Sequence, residues 1–359
     1  RKKEQEDAER NRQEAERDKR AQEARRADLS RHLAEAERFV GAEKFDEAEA
    51  ALEAAARVDA AAPRVAELRR RVAALRDAAR SATGTIKAIM SSHLHSTDPL
   101  LTLAQITRTH GYMIYDTLFA FDANQQIRPQ MVESWQSSAD KLTWTFALRD
   151  GLRWHDGANV TSDDVIASIE RWAKRDVMGR ALAAATKEWK KIDDRTFQLV
   201  LNEPFGPVLD ALGKPSASPL FVMPRDVALA PAETRISDHA PDRWHIGSGP
   251  FRLVRAEYQP ATKVVYQRNA AYVPRNEPPS GLAGGKIVKV ARVEWISVAD
   301  PPTALAALRA GEVELYEQPR FDFLKDASRH GLELKDYNKL GQSVWMRINW
   351  RHPPFDNQK

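Results

Sequence analysis

The chain has 359 residues, 42% apolar and 30% charged, with 55 Lys and Arg against 51 Asp and Glu for a net charge of +4. That length predicts two or three domains, and so balanced a charge gives no sign of the basic face that a nucleic acid requires, so no nucleic-acid partner is expected. Cysteine is absent, which excludes disulfides, thiol catalysis and Cys-ligated zinc. No apolar run reaches the roughly 18 residues of a membrane-spanning helix.

The opening stretch, residues 1–28, reads "RKKEQEDAERNRQEAERDKRAQEARRAD". Acids and bases recur at three- and four-residue spacing without Gly or Pro, which predicts a solvated helix or tail. It has no apolar a/d seam for a coiled coil. No secretory leader pattern is visible, and the first residue is Arg. The true N-terminus, with any export signal, is therefore expected upstream.

Residues 29–82 change character. "HLAEAERFVGAEKFDEAEAALEAAARVD" places small and apolar residues at helical spacing, with a break at Gly41 and a new helix start at Pro63. It reads as one tetratricopeptide-like hairpin, with Phe45, Ala48, Ala51 and Ala54 packing between helices. Stable arrays need about three such repeats, so a short helical hairpin is expected, serving as a spacer or partner-binding module.

Strand and turn patterns follow. "LTWTFALR" alternates apolar and polar as a half-buried strand does. In "LRDGLRWHDGANVTSDDVIASIERW", Asp156-Gly157 predicts a tight turn, and Thr161 with Asp164 predicts a capped helix start. Val165, Ile166, Ile169 and Trp172 continue it at helical spacing. His155 has no partner at metal-ligand spacing, so this stretch reads as scaffold. "GSGPFRLVRAEYQPATKVVYQRNAAYV" predicts a glycine turn and two strands around Gln259-Pro260. "VARVEWISVADPPTALAALRAGEVELYE" predicts a βαβ unit with a parallel pair, Pro301 and Pro302 opening its helix and Gly311 stopping it.

In this order, and with "DPLLTLAQITRTHGYMIYDTLFAFD" before them and "MRINWRHPPFDNQK" after, these segments resemble the family 5 extracellular solute-binding proteins, the peptide and nickel receptors of ABC transporters. The resemblance covers residues 84–359. It implies an α/β, two-lobed periplasmic-binding-protein-like (class II) fold behind an all-α segment. Lobe I would span residues 84–286, and an incomplete lobe II residues 287–359. It implies a peptide or similar small solute held in an interlobe cleft, permease subunits as partners, and a periplasmic or extracytoplasmic location. It implies neither catalysis nor a cofactor. In the peptide receptors an acidic residue pairs with the ligand's amino terminus in the part that would follow "PPFDNQK", so that residue has no counterpart in this sequence.

A cleft of this kind is lined by amphipathic aromatics and a few placed polar groups. The ligand-binding candidates are Tyr112, Met113 and Tyr115 near the opening helix, Trp154, Trp244 and Ser248 about the "GSGPF" turn, and Gln342, Ser343 and Trp345 on a strand of lobe II. Each reads first as a core or turn residue, with the ligand-facing role as the alternative. His93 and His95, at i,i+2 spacing, and His110 lack an acid cluster, so no metal site is assigned. No G-x-S-x-G, H-E-x-x-H or phosphate-loop pattern occurs. "SGLAGGK" has the wrong spacing for phosphate and reads as a flexible hairpin. The second reading is a helical scaffold, with residues 1–82 binding a protein partner and the rest a non-functional receptor remnant.

Overall fold

The computed structural model describes residues 2–41, 44–81, 84–215, 218–324, 331–336, 348 and 350–356. Three helices come first: α1 (Lys2–Gly41), α2 (Phe45–Val58) and α3 (Pro63–Ser81). α1 passes through the expected boundary at residue 28 without a break. Its surface carries i,i+4 pairs such as Arg20–Glu16 at 2.9 Å. Among its described side chains the buried ones lie in the last turns: Ala36 and Val40 pack with Ala48, Ala51 and Leu52 of α2 and with Leu68, Val72 and Leu75 of α3. Gly41 ends α1 and Pro63 opens α3, as the sequence predicts. Ala54, expected between the helices, is only half-buried, while Ala55 one position on is fully buried.

The rest is mixed α/β. A five-stranded sheet has the order β11–β1–β10–β9–β8, built from β1 (Thr85–Ile89), β8 (Phe251–Leu253), β9 (Lys263–Arg268), β10 (Arg292–Ile296) and β11 (Leu315–Tyr316). β1 is parallel to both β10 and β11, while β9 runs antiparallel to β10 and to β8. The predicted βαβ unit forms, with α10 (Pro301–Arg309) as its crossover. Its two strands do not pair with each other, because β1 is inserted between them. Ile89 of β1 packs under Ala304 of α10, beside Val313. Strands from both sides of the expected 286/287 boundary thus share one sheet, so the βαβ unit extends the first lobe's sheet and does not open a separate one.

A four-stranded antiparallel sheet has the order β4–β5–β7–β6, from β4 (Val132–Ser137), β5 (Thr143–Leu148), β6 (Thr186–Lys191) and β7 (Thr196–Leu201). β2 (Phe119–Phe121) and β3 (Ile127–Pro129) form a hairpin beside it. The alternation in "LTWTFALR" is realised in β5, where Phe146 and Leu148 are buried and Phe146 stacks on Phe197 at 5.2 Å. α4 (Gln105–Ile114), α5 (Ser162–Ala173), α6 (Val177–Ala185) and the short α7 (Val208–Gly213), α8 (Arg225–Ala228) and α9 (Ile236–His239) complete the two connected cores. α5 starts as predicted: the backbone N–H and hydroxyl of Thr161 both donate to Asp164, at 2.7 and 2.8 Å.

Helix α3 meets the mixed α/β part at the turn of Asp150 and Gly151. Arg64 of α3 pairs with Asp150 at 2.8 Å while also holding Glu37 at 2.7 Å and Glu67 at 3.0 Å. Burial alone would lower the Arg64 pKa, but the hydrogen bond to Glu37 and the carboxylates of Asp150 and Glu67 outweigh it and raise it. Asp150 is also bound by Arg195. Beside it, the Arg71 guanidinium lies where a side chain on Gly151 would be, 2.7 Å from that position. Burial lowers the Arg71 pKa to about 10.

Candidate functional site

The stretch around His155 is a joint between two motifs. The Asp156-Gly157 turn forms with Gly157 at φ +93°. His155 accepts at Nδ1 from the Gly247 N–H (3.1 Å), donates from Nε2 to the Gly249 carbonyl (3.2 Å), and donates its backbone N–H to the Gly247 carbonyl (2.8 Å). Both ring nitrogens are occupied, and burial lowers its pKa to about 3, so the imidazole is neutral near pH 7. A neutral ring bonded on both sides to main chain is neither a free base nor a metal ligand.

The "GSG" turn is equally constrained. A Cβ on Gly247 would meet the Ile114 carbonyl oxygen at 1.8 Å, and one on Gly249 would meet the Ile114 carbonyl carbon at 2.8 Å. Glycine at both positions lets this turn run against the end of α4, where Gly249 N–H donates to Ile114 O at 2.9 Å.

Other conspicuous polar residues are also satisfied internally. Asp116 of the "YDTL" motif accepts from Lys286 Nζ (2.8 Å) and the Tyr272 hydroxyl (3.0 Å). Lys286 ends "SGLAGGK", which is not a free flexible hairpin. Gly284 exchanges hydrogen bonds with the Gln130 amide at 3.1 and 3.2 Å, and Leu282 N–H donates to Phe121 O at 3.0 Å.

Of the nine ligand candidates, Tyr115 is fully buried, with its hydroxyl on the Trp244 carbonyl. Trp154, 3% exposed, belongs to the core beneath the four-stranded sheet. These two are interior residues, and the structure leaves them no surface for a solute. Ser248 is 4% exposed, with a buried hydroxyl that has no hydrogen-bond partner among the described residues. Tyr112, Met113 and Trp244 are half-buried against the core of the five-stranded sheet, Tyr112 edge-on to Phe221 at 4.9 Å. Gln342, Ser343 and Trp345 lie outside the described residues.

A different set of residues converges at the carboxyl ends of the parallel strands. In open α/β sheets that is where ligands bind. The loop after β1 presents Ser91, Ser92, His93 and His95, all exposed. His93 Nδ1 lies 2.7 Å from Ala261 O and 3.1 Å from Ser297 Oγ just past β10, and its ring is 6.2 Å from that of His95. Glu317, one residue past β11, bonds back to this loop and to α4 through Ser91 N–H and the Thr109 hydroxyl, each at 3.3 Å. No group of three or more metal-ligating side chains forms among the described residues. The sequence reading passed over Glu317, Thr109 and Ser91. Their only signal was position, at the end of a βαβ strand and in the segment after the first parallel strand.

The candidate site thus lies at a parallel-strand end on a two-sheet α/β scaffold. Residues 126–359 match the family model of bacterial extracellular solute-binding proteins, family 5. The chain belongs to this family. A probable peptide ABC transporter periplasmic-binding protein of Sinorhizobium fredii is 43% identical over 265 residues, 73% of this chain and 48% of that protein. A glutathione-binding protein of Pectobacterium atrosepticum is 26% identical over 277 residues, 75% of this chain and 49% of that protein. The chain spans about half the length of these curated relatives. Among solved structures, a periplasmic binding protein of A. tumefaciens in complex with mannopinic acid shares the fold with a TM-score of 0.59 and 23% identity, over 77% of this chain and 53% of that one. The Helicobacter pylori periplasmic binding protein in complex with the peptide STSA gives a TM-score of 0.54 at 22% identity, over 70% and 50%. As a family 5 chain, the protein has its conspicuous "WHDG" and "GSGPF" residues committed to joining segments of the scaffold.

Proposed function

We propose that this chain supplies part of a solute receptor of an ABC importer. The receptor holds a peptide or similar small solute in a cleft beside the carboxyl ends of β1, β10 and β11, delivers it to permease subunits outside the cytoplasm, and leaves it chemically unchanged. Family membership supports this, as do relatives named for peptides and glutathione. The observation that carries the non-catalytic part is His155. It is the histidine in the most enzyme-like stretch of the sequence, and it is neutral, buried and bonded on both ring nitrogens to main chain. Lobe I under this reading is residues 84–286 joined by the βαβ unit, with lobe II beginning beyond β11.

A thermal-shift screen of the protein with di- and tripeptides, glutathione and sugar–amino acid conjugates tests the reading. It expects a rise in melting temperature that saturates with concentration for at least one class. No shift with any of them would count against it. Residues 1–82 are a partner-binding module in the second reading. In its favour, every described side chain from residue 9 to residue 27 is exposed.

A further inference from the structure

Glu317 lies one residue past β11, at the carboxyl end of the parallel strands. Its N–H donates to the Ile89 carbonyl at the end of β1 (3.2 Å), and its carboxylate accepts from Ser91 N–H and the Thr109 hydroxyl, both at 3.3 Å. Several carboxylates are matched with bases, Glu257 and Glu294 with Arg292, Asp116 with Lys286 and Asp98 with Arg171, while others, such as Asp164 and Asp300, cap helix starts by accepting from backbone N–H and hydroxyl groups. Glu317 is half-buried and has no Lys, Arg or His partner among the described residues. A carboxylate offers about four acceptor directions, so two long bonds from neutral donors leave capacity unused. Partial burial without a counter-charge is unfavourable, and an incoming cation relieves it.

We propose that Glu317 receives an ammonium or guanidinium group of the solute, and that the receptor therefore favours basic solutes. The assignment rests on the receptor reading above. Ser91 and Thr109 fix the carboxylate's orientation from the β1 loop and from α4. Tyr112, three residues past Thr109 and on the same side of α4, offers a half-buried aromatic flank along which the apolar stem of a Lys or Arg side chain lies.

The test is calorimetric titration of the protein with trilysine and with trilysine acetylated at its three side-chain amines, which keeps the α-amine and removes only the side-chain charges. Wild type is expected to bind trilysine at least ten times more tightly, and Glu317→Gln to lose that preference with little change for the acetylated peptide. Equal binding of the two peptides by wild type, or an unchanged ratio in the variant, overturns the assignment and leaves the receptor reading standing. Binding of neither peptide, together with a blank thermal-shift screen, sinks the receptor reading and the assignment with it. If Glu317→Gln lowers the melting temperature by loosening the β1 end, Glu317→Asp serves as the second variant. It keeps the charge and is expected to retain a preference for trilysine, and its loss would overturn the assignment.

Discussion

Asp98 and Arg171 face each other as a bidentate ion pair inside the protein, at 2.7 and 3.2 Å, with side chains 0% and 4% exposed. Arg171 also donates to the carbonyls of Ala230 and Thr234, and Asp98 accepts from Leu100 N–H. One pair therefore fastens the segment after β1 to α5 and to the chain beyond α8. Removing one member strands a buried charge, which costs about 3–5 kcal/mol. Asp98→Ala is expected to lose about that much in urea unfolding. A loss under 1 kcal/mol would show the pair to be solvated.

Acid is expected to weaken the fold through two histidines. Burial lowers the pKa of His155 to about 3, and that of His110, whose Nδ1 lies 2.6 Å from the Tyr266 hydroxyl, also to about 3. The unfolded chain binds these protons near pH 6.5 and the folded chain does not. Stability is therefore fully present above pH 6.5 and declines toward pH 3, at up to about 1.4 kcal/mol per pH unit for each histidine. Melting temperatures between pH 7.5 and 5 measure the slope. His155→Asn is expected to be less stable at pH 7.5 and to show a shallower slope. An unchanged slope would show that His155 titrates normally.

Two neighbours in the "GSG" turn are expected to respond oppositely. Gly247→Ala puts a methyl within 1.8 Å of the Ile114 carbonyl oxygen, so it forces backbone apart and costs about 3 kcal/mol or more. Ser248→Ala removes a buried hydroxyl that has no partner among the described residues and is expected to stabilise by about 1 kcal/mol. Denaturant midpoints compare them; a destabilising Ser248→Ala would reveal a partner for that hydroxyl.

The docking of α3 is open to a double-mutant cycle. Gly151 has φ +72°, and Arg71 occupies the space its side chain would need. Gly151→Ala is expected to cost about 1–3 kcal/mol through strain and overpacking. Part of that cost should disappear in an Arg71→Ala background. Strict additivity would mean that the helices do not rest on this turn in solution.

Local chemistry made much of this legible from the sequence. Thr161 with Asp164, Asp156-Gly157, Pro63, Gly311 and the alternation of β5 each encode their structure within a few residues. What was not legible depended on partners far along the chain. Nothing near residue 292 announces that β1, over 200 residues earlier, will lie between β10 and β11. Tyr115 and Trp154 have the amphipathic character of ligand-facing aromatics, and whether such a ring faces a cleft or the core is set by packing. Glu317 was hidden for the same reason, because the donors that hold it, Ser91 and Thr109, lie more than 200 residues earlier in the chain.

As the solute receptor proposed above, the protein would grip its solute without altering it. The most direct measurement is to incubate the protein with a peptide that raises its melting temperature, denature the complex, and weigh the released peptide by mass spectrometry. The peptide is expected to be recovered at its original mass, in an amount close to one per protein. A cleaved or otherwise modified product that grows with time would contradict it.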